Sequence, residues 1–187
     1  MKVRRNVKMK VGRFEVGDVI CFKLLDGEKV EAMAVKQDGE DMIFCHIDCL
    51  AKEYRMNPTG TNKGGWEECE LREKLNGEIL KRFPEKIIRK MVPFENGDLL
   101  RIPTEKEMFG ENEYGECEAE SVKQWEPMKQ RRNRICFQGN NGPAEWCWLM
   151  TSVSAACFAL VLNGGSANYF VASNAYGVRP AFKIKNL

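Results

Sequence analysis

The sequence predicts a single α+β domain, and three patterns in it support this. Apolar, β-rich runs separated by hairpin turns fill the first 50 residues, an apolar stripe at helical spacing follows, and a long uncharged segment lies near the end. The 187 residues are 43% hydrophobic and 30% charged, which is typical of a globular chain that buries its own core.

The N-terminal part predicts a small antiparallel meander. Three apolar runs cover residues 19–25, 30–35 and 42–50. Asp26-Gly27 between the first two is a strong hairpin signal, and the polar, glycine-containing residues 37–41 predict a second turn.

The middle of the chain predicts two helices after a loop over residues 57–65, which are rich in Gly, Pro, Asn and Thr. The first helix is indicated by an apolar stripe formed by Leu71, Leu75, Ile79 and Leu80. Pro84 ends it and can begin the second, which we expect to run to Met91.

Shorter elements are predicted beyond this point. A strand is expected over 98–102, followed by a helical turn in which Thr104 and Glu107 form a capping box. Residues 110–133 are charged and predict a surface loop, and residues 134–138 predict a strand.

The segment after Glu145 differs in kind, because the next charged residue is Arg179, 33 uncharged positions later. One interpretation is a membrane span over residues 146–162, and the other is a set of strands that are buried or lie at an interface. The interspersed hydroxyl side chains and the missing basic flanks favour strands, so no membrane span is expected.

Charge and cysteine usage exclude several classes of function. A net charge of +2 gives no reason to expect nucleic-acid binding, and the basic arm over residues 1–13 is interpreted as a solvated terminus. No signal peptide is visible, which predicts a cytoplasmic protein or a phage-particle component. The eight cysteines mostly lie in apolar runs and are expected to be reduced.

The motif Cys45-His46-Ile47-Asp48-Cys49 is the one place that suggests a metal site or a catalytic group. In a strand the two cysteines would face one side, whereas His46 and Asp48 would face the other. Since structural zinc needs four ligands and the chain has a single histidine, we expect no metal site, no catalytic residues, no cofactor and no enzymatic activity.

Several landmarks together resemble a known family. The most specific are Leu71-Arg72-Glu73-Lys74-Leu75-Asn76 after Gly65-Trp66, and the terminal Gly177-Val178-Arg179-Pro180-Ala181-Phe182. Over residues 14–185 the chain resembles bacterial and phage domains of uncharacterised function, common in gut Firmicutes, with a C-type-lectin-like fold. The resemblance implies one such domain over residues 14–187, with two or three short helices and small antiparallel sheets.

Part of that family looks like the variable proteins of diversity-generating retroelements, in which a reverse transcriptase copies a repeat with errors at adenines. Residues 165–182 resemble such a repeat, which implies a variable segment over residues 146–182. Changing the adenines of an Asn codon cannot produce Lys, Glu, Gln, Met or Trp, and none of these occurs from Thr151 to Phe182.

The resemblance implies a binding protein that displays side chains of this segment to a protein or cell-surface ligand. The expected displayed residues are Ser152, Val153, Cys157, Phe158, Leu160, Leu162, Asn168, Phe170, Val171, Asn174, Ala175 and Tyr176. Which of them face outward depends on strand register, since a slip of one residue inverts the set.

Two alternatives stay open at this point. The chain could be a fixed-sequence phage or mobile-element structural subunit, whose terminal strands are buried in an oligomer. It could instead be an enzyme on a fold like that of the formylglycine-generating enzymes, a reading that an open Cys147 or Cys157 with a lowered pKa would favour. The calcium-binding motifs of sugar-binding C-type lectins do not occur in the sequence.

Overall fold

The N-terminal meander forms most of a five-stranded antiparallel sheet, in which the strands lie side by side in the order 19–23, 29–38, 41–46, 181–185 and 91–92. The computed structural model describes residues 13–186, so the predicted basic arm lies outside them except for Arg13. The strands of this sheet are β1 (Val19–Lys23), β2 (Lys29–Asp38), β3 (Asp41–His46), β5 (Met91–Val92) and β12 (Ala181–Lys185).

Both predicted turns of the meander are confirmed. Gly27 and Gly39 have φ angles of 92° and 61°, a conformation that glycine adopts without the steric cost other residues would meet. β3 ends at His46, whereas the sequence predicted an apolar strand to Leu50. After His46 the chain keeps one hydrogen bond to β2, from the N–H of Ile47 to the Glu31 carbonyl at 2.8 Å, and Cys49 then forms an isolated bridge to Gln138.

The first predicted helix is present over residues 70–82 as three contiguous segments. α1 (Glu70–Lys74) passes into a π turn (Leu75–Ile79) and then a 3-10 turn (Leu80–Arg82). The predicted stripe is confirmed at three of its positions, since Leu71, Leu75 and Ile79 are fully buried.

The second helix is shorter than predicted. α2 (Glu85–Ile88) ends before Met91, because Met91 and Val92 join the sheet as β5 and pair with β12. The sequence could not indicate this pairing, since the partner strand lies about 90 residues away.

The strand predicted over 98–102 is wrong apart from one bridge between Arg101 and Ala181. The side chain of Asn76 accepts hydrogen bonds from the backbone N–H groups of Leu99 and Leu100, at 2.9 and 3.0 Å. A side chain therefore supplies the partners that a neighbouring strand would have supplied.

The capping box is confirmed at the start of α3 (Glu105–Phe109), where Thr104 Oγ1 accepts from the N–H of Glu107 at 3.0 Å. The predicted loop over 110–133 is interrupted near its end by a 3-10 turn (Glu126–Lys129) and by α4 (Arg131–Arg134). α4 also occupies the first residue of the strand predicted over 134–138, so that β6 is restricted to Cys136–Phe137 and pairs with β7 (Ala144–Glu145).

The uncharged segment forms strands, as predicted. β8 (Cys147–Ser154), β9 (Cys157–Val161) and β10 (Ala167–Val171) form a three-stranded antiparallel sheet with β9 in the middle. β11 (Ala175–Tyr176) pairs with β4 (Tyr54–Arg55). Among residues 13–186, no helix has the length and hydrophobicity that crossing a membrane requires.

This mixture of short helices and small antiparallel sheets confirms the α+β class. Two groups of buried side chains lie between its layers. The first core includes Phe44, Leu71, Trp148, Phe158 and Phe182. The second core includes several cysteines and is formed by Val35, Ile43, Cys45, Cys49, Met108, Trp125, Met128, Cys136, Cys147, Leu149, Ala159, Val161 and Ala181.

The two ends of the described chain lie side by side. The Asn186 side chain accepts from the N–H of Phe14 at 2.6 Å and donates to the Phe14 carbonyl at 3.0 Å.

Candidate functional site

The predicted binding segment forms the β8-β9-β10 sheet, which separates the two cores. Trp148 and Phe158 on one face belong to the first core, whereas Leu149 and Ala159 on the other face belong to the second. The side chains available for display are therefore restricted to the edges and ends of this sheet.

Two of the expected displayed residues are buried, and their inclusion was wrong. Phe158 and Leu160 have no exposed surface and lie in the first core. Both belong to β9, the middle strand, whose two faces are covered. Their apolar character reflects packing within the domain.

The remaining expected residues retain some exposure. Val171 and Ala175 are exposed, and eight others are half-buried: Ser152, Val153, Cys157, Leu162, Asn168, Phe170, Asn174 and Tyr176.

Phe170 turns toward the first core. Its ring lies 5.8 Å from Trp146 and 5.6 Å from Tyr176, measured between ring centroids. Its neighbour Tyr169, which the sequence analysis did not select, points the opposite way and is 42% exposed. Strict alternation along β10, with residues 167, 169 and 171 on one face, would have identified Tyr169.

Tyr169 packs against Tyr114, a second residue that the sequence analysis missed. The two rings lie 5.2 Å apart, and Tyr114 is 41% exposed. Tyr114 belongs to the loop after α3. The carboxylate of Glu105 fixes this loop by accepting hydrogen bonds from the N–H groups of Tyr114 and Gly115, at 3.0 and 2.8 Å. No local sequence pattern indicates this long-range placement.

Val171 extends the same exposed face and is itself 37% exposed. Beside it lies the loop over residues 57–65, in which Gly60 approaches the Val171 side chain closely. Asn62 ties this loop to the sheet by donating from its side chain to the Cys157 carbonyl at 2.9 Å. We call the patch formed by Tyr114, Tyr169 and Val171 the β10 surface.

The open edge of β10 is partly blocked. Among residues 13–186 the strand pairs with β9 alone, and Tyr169 donates its N–H to the side chain of Asn168 at 2.8 Å. An amide that bonds to a side chain in its own strand is less available to a strand from another chain.

A family model described as "Domain of unknown function (DUF6273)" matches residues 40–186. The chain belongs to this family. The matched part of this DUF6273 member includes the β10 surface and every strand from β3 to β12. No curated protein and no solved structure matches the chain.

The single histidine of this DUF6273 member is not available for acid–base chemistry near neutral pH. His46 is buried and packs against the rings of Phe83 and Phe182, at 5.8 and 6.2 Å. Burial, and then the charges of Arg179 and Arg82, lower its pKa to about 3. It packs against rings of the first core, whereas Cys45 and Cys49 belong to the second core, so His46 lies apart from these two thiols. The strand on which the predicted alternation depended ends at His46, so the prediction holds for Cys45 and His46 and not as a continuous strand to Cys49.

A cluster of three thiols lies in the second core, where the sequence analysis expected no metal site. The Sγ atoms of Cys49, Cys136 and Cys147 all lie within 4.8 Å of one another. Those of Cys49 and Cys136 are 3.1 Å apart, although 87 positions separate these residues in the sequence. None of the recognised metal-binding spacings includes such distant cysteines, so only the folded structure reveals the cluster.

The thiols of this cluster differ in acidity. Hydrogen bonds from the Cys136 and Cys49 thiols lower the pKa of Cys147, with Arg179 adding to the effect. Burial raises the pKa of Cys49, and the hydrogen bond to Cys147 raises that of Cys136. Cys147 is nevertheless buried, so it lacks the open position that the enzyme alternative requires, and Cys157 is half-buried.

Proposed function

We propose that this DUF6273 member is a binding protein that presents the β10 surface to a protein partner. We further propose that it has a C-type-lectin-like fold, and that a diversity-generating retroelement varies its C-terminal segment. The combination of short helices with small antiparallel sheets supports this fold, although residues 13–186 contain four short α-helices where the resemblance implies two or three.

The observation that carries the binding proposal is the exposed Tyr114–Tyr169 pair beside Val171. Tyrosine supplies a large contact area with few rotatable bonds, so ordering it on binding costs little conformational entropy. Aromatic side chains are also enriched among the residues that contribute most to binding energy at interfaces. Two such side chains next to an exposed valine therefore make a suitable centre for an interface.

The rim of the β10 surface indicates the charge of the partner. The loop that carries Tyr114 contains five glutamates and no basic residue over positions 111–122. Four of them are exposed: Glu111, Glu113, Glu116 and Glu120. A partner with an apolar centre and a basic rim would complement this arrangement and would associate faster at low salt.

The separation of exposed and buried positions supports diversification of the segment. Val178 and Phe182 in the terminal motif are fully buried, so they would be constant scaffold positions. Exposed positions on β10 could change without creating cavities or burying charge.

Sequencing the surrounding locus tests the diversification. We expect a near-copy of codons 146–182 beside a reverse-transcriptase gene, differing at adenines in the codons of exposed or half-buried residues such as Asn168, Tyr169 and Val171. Codons for Phe158, Leu160 and Phe182 should be unchanged. A locus without such a copy would refute diversification, and differences concentrated in the buried codons would refute the assignment of the displayed face.

A random peptide library displayed on phage tests the binding proposal. Panning on the wild-type chain should enrich peptides that contain Lys or Arg and that no longer bind the Tyr114→Ala/Tyr169→Ala variant. The matched control is Leu25→Ala, which removes another exposed apolar side chain on the β1–β2 turn and should leave binding intact. Peptides that bind the double variant as tightly as the wild type would contradict the proposal.

The structural-subunit alternative is distinguished by native mass spectrometry. An assembly subunit should form oligomers at micromolar concentration, whereas a display domain should be monomeric without its partner. An oligomer that dissociates in the Tyr169→Ala variant would shift the assignment to self-assembly through β10.

A further inference from the structure

The three-thiol cluster in the second core has the features of a metal site. We propose that Cys49, Cys136 and Cys147 bind a thiophilic divalent metal ion such as zinc. This inference is independent of the β10 surface and does not rest on the proposed binding function.

The positions of the sulfur atoms fit a common metal centre. Zinc–sulfur bonds of about 2.3 Å place the sulfurs of a zinc–thiolate centre about 3.8–4.0 Å apart. The three Sγ atoms lie within 4.8 Å of one another, with the closest pair at 3.1 Å. Side-chain adjustments of less than about 1 Å would therefore bring all three to bonding distance.

The backbone around the cluster fixes the three cysteines without any metal. Cys49 donates its N–H to the Phe137 carbonyl at 3.0 Å and accepts from the N–H of Gly139 at 3.1 Å. Cys136 pairs with Glu145 between β6 and β7, and Cys147 pairs with Val161 in β8. Ligands that are held in place by strand pairing reduce the entropy that metal binding would otherwise cost.

The charge near the cluster provides a second, independent observation. Arg179 is 1% exposed, and its guanidinium donates to three backbone carbonyls, those of His46, Asn133 and Arg134. Within residues 13–186 it forms no ion pair with a carboxylate. It lies near the cluster, because Gly177, two residues earlier, forms a bridge with Cys147, and Arg134, one of its acceptors, precedes Cys136 by two residues.

A buried guanidinium without an anion is costly, since desolvation of a charge is repaid only by a partner. Three thiolates around a divalent ion carry a net charge of −1, which balances the +1 of Arg179. Binding would release to solvent the protons that the three thiols still carry, and no electron transfer is involved. The charge of the site therefore favours a divalent ion.

The described part of the chain offers three ligands of the usual types, since no fourth His, Cys, Asp or Glu joins the cluster. The site thus has three protein ligands, and a water molecule would occupy the fourth position on zinc. Copper(I), which also prefers thiolates, is the ion to compare with zinc.

Metal uptake by the full chain tests the proposal. The protein is reduced, freed of metal, and titrated separately with Zn²⁺ in competition with a chromophoric chelator, with Co²⁺, and with Cu⁺. We expect one ion per chain by native mass spectrometry and a thiolate-to-cobalt charge-transfer band with Co²⁺. Zinc should also protect three of the eight thiols from alkylation in the wild-type chain.

Variants locate the site. Cys136→Ala and Cys147→Ala should lose the charge-transfer band and the bound ion. The matched control is Cys69→Ala, which removes another buried thiol, one that belongs to the first core, and should bind zinc as the wild type does. Circular dichroism of each variant shows whether it has folded.

Any of four outcomes would overturn the proposal. The wild-type chain could take up neither Zn²⁺ nor Co²⁺, or Cys69→Ala and Cys147→Ala could bind zinc equally well. The chain could also take up no metal and instead show a Cys49–Cys136 disulfide, detected as the loss of two hydrogens and a linked peptide. Uptake of Cu⁺ alone would contradict the divalent assignment.

Discussion

The guanidinium of Arg101 donates two hydrogen bonds to the carboxylate of Glu107, from Nη2 to Oε1 at 2.6 Å and from Nη1 to Oε2 at 2.7 Å. Both side chains are largely buried, and the arginine also lies over the ring of Phe94 at 4.7 Å. The same glutamate completes the capping box of α3. The Glu107 carboxylate thus connects the start of α3 to Arg101, which forms a bridge with Ala181 in the five-stranded sheet.

Replacement of Glu107 by alanine should therefore destabilise the protein strongly. It leaves the buried Arg101 without its anion, a change that costs about 3–5 kcal/mol. Thr104→Ala removes only the cap and should cost about 1 kcal/mol. Urea denaturation measures both free energies of unfolding, and equal losses would contradict the role assigned to the ion pair.

Gly177→Ala should destabilise the protein by about 1–3 kcal/mol through overpacking. A methyl group at this position would lie 2.5 Å from Sγ of Cys49 and 2.6 Å from Cγ of Glu145. Gly77→Ala is the matched control, because that glycine lies in a helical turn with open space around it. Gly77→Ala should stabilise the protein by roughly 0.5–1 kcal/mol. Thermal denaturation should therefore show a lower melting temperature for Gly177→Ala and a higher one for Gly77→Ala.

His46 predicts a loss of stability in mild acid. Its pKa is about 3 in the folded protein, against an ordinary value of 6.5, because burial and the charges of Arg179 and Arg82 disfavour the imidazolium. The unfolded chain therefore binds the proton first as the pH falls below 6.5. The stability contributed by neutral His46 is complete above pH 6.5 and decreases toward pH 3.

The slope should approach about 1.4 kcal/mol per pH unit between pH 6 and 5. His46→Phe keeps an aromatic ring next to Phe83 and Phe182 and removes the titration. The difference between wild type and variant, measured by urea denaturation at several pH values, isolates the histidine. A difference independent of pH would show that the imidazole is not held neutral.

The register of the C-terminal sheet predicts contrasting effects of two aromatic truncations. Phe158→Ala should cost about 3–5 kcal/mol, since the ring is fully buried. Tyr169→Ala should cost much less, because it loses mainly the contact with Tyr114. A double-mutant cycle with Tyr114→Ala should give a coupling of about 0.5–1.5 kcal/mol. Similar costs for Phe158→Ala and Tyr169→Ala would refute the register.

Local patterns in the sequence predicted the elements that local interactions determine. The hairpin at Gly27, the stripe from Leu71 to Ile79 and the capping box at Thr104 each depend on residues a few positions apart. The strands predicted for the uncharged segment are also present. Its hydroxyl side chains favoured strands over a membrane span, although its lack of charge is compatible with both.

The errors lie where distant residues decide the structure. β5 exists because Met91 and Val92 pair with β12, and the strand predicted near Leu99 is replaced by hydrogen bonds to Asn76. At the candidate sites, Tyr114 reaches Tyr169 through a loop held by Glu105. The three thiols likewise come from segments whose proximity appears only in the folded chain.

The paired hydrogen bonds between Phe14 and Asn186 mean that the described chain is nearly a closed ring in space. A short peptide joining these two positions would allow circular permutation, with new termini at an exposed turn such as the one around Gly97. The same proximity would allow the domain to be inserted into a surface loop of another protein, because Phe14 and Asn186 lie as close together as the two ends of a cut loop. The order in which the strands follow one another along the chain can thus be changed while the sheets keep their positions.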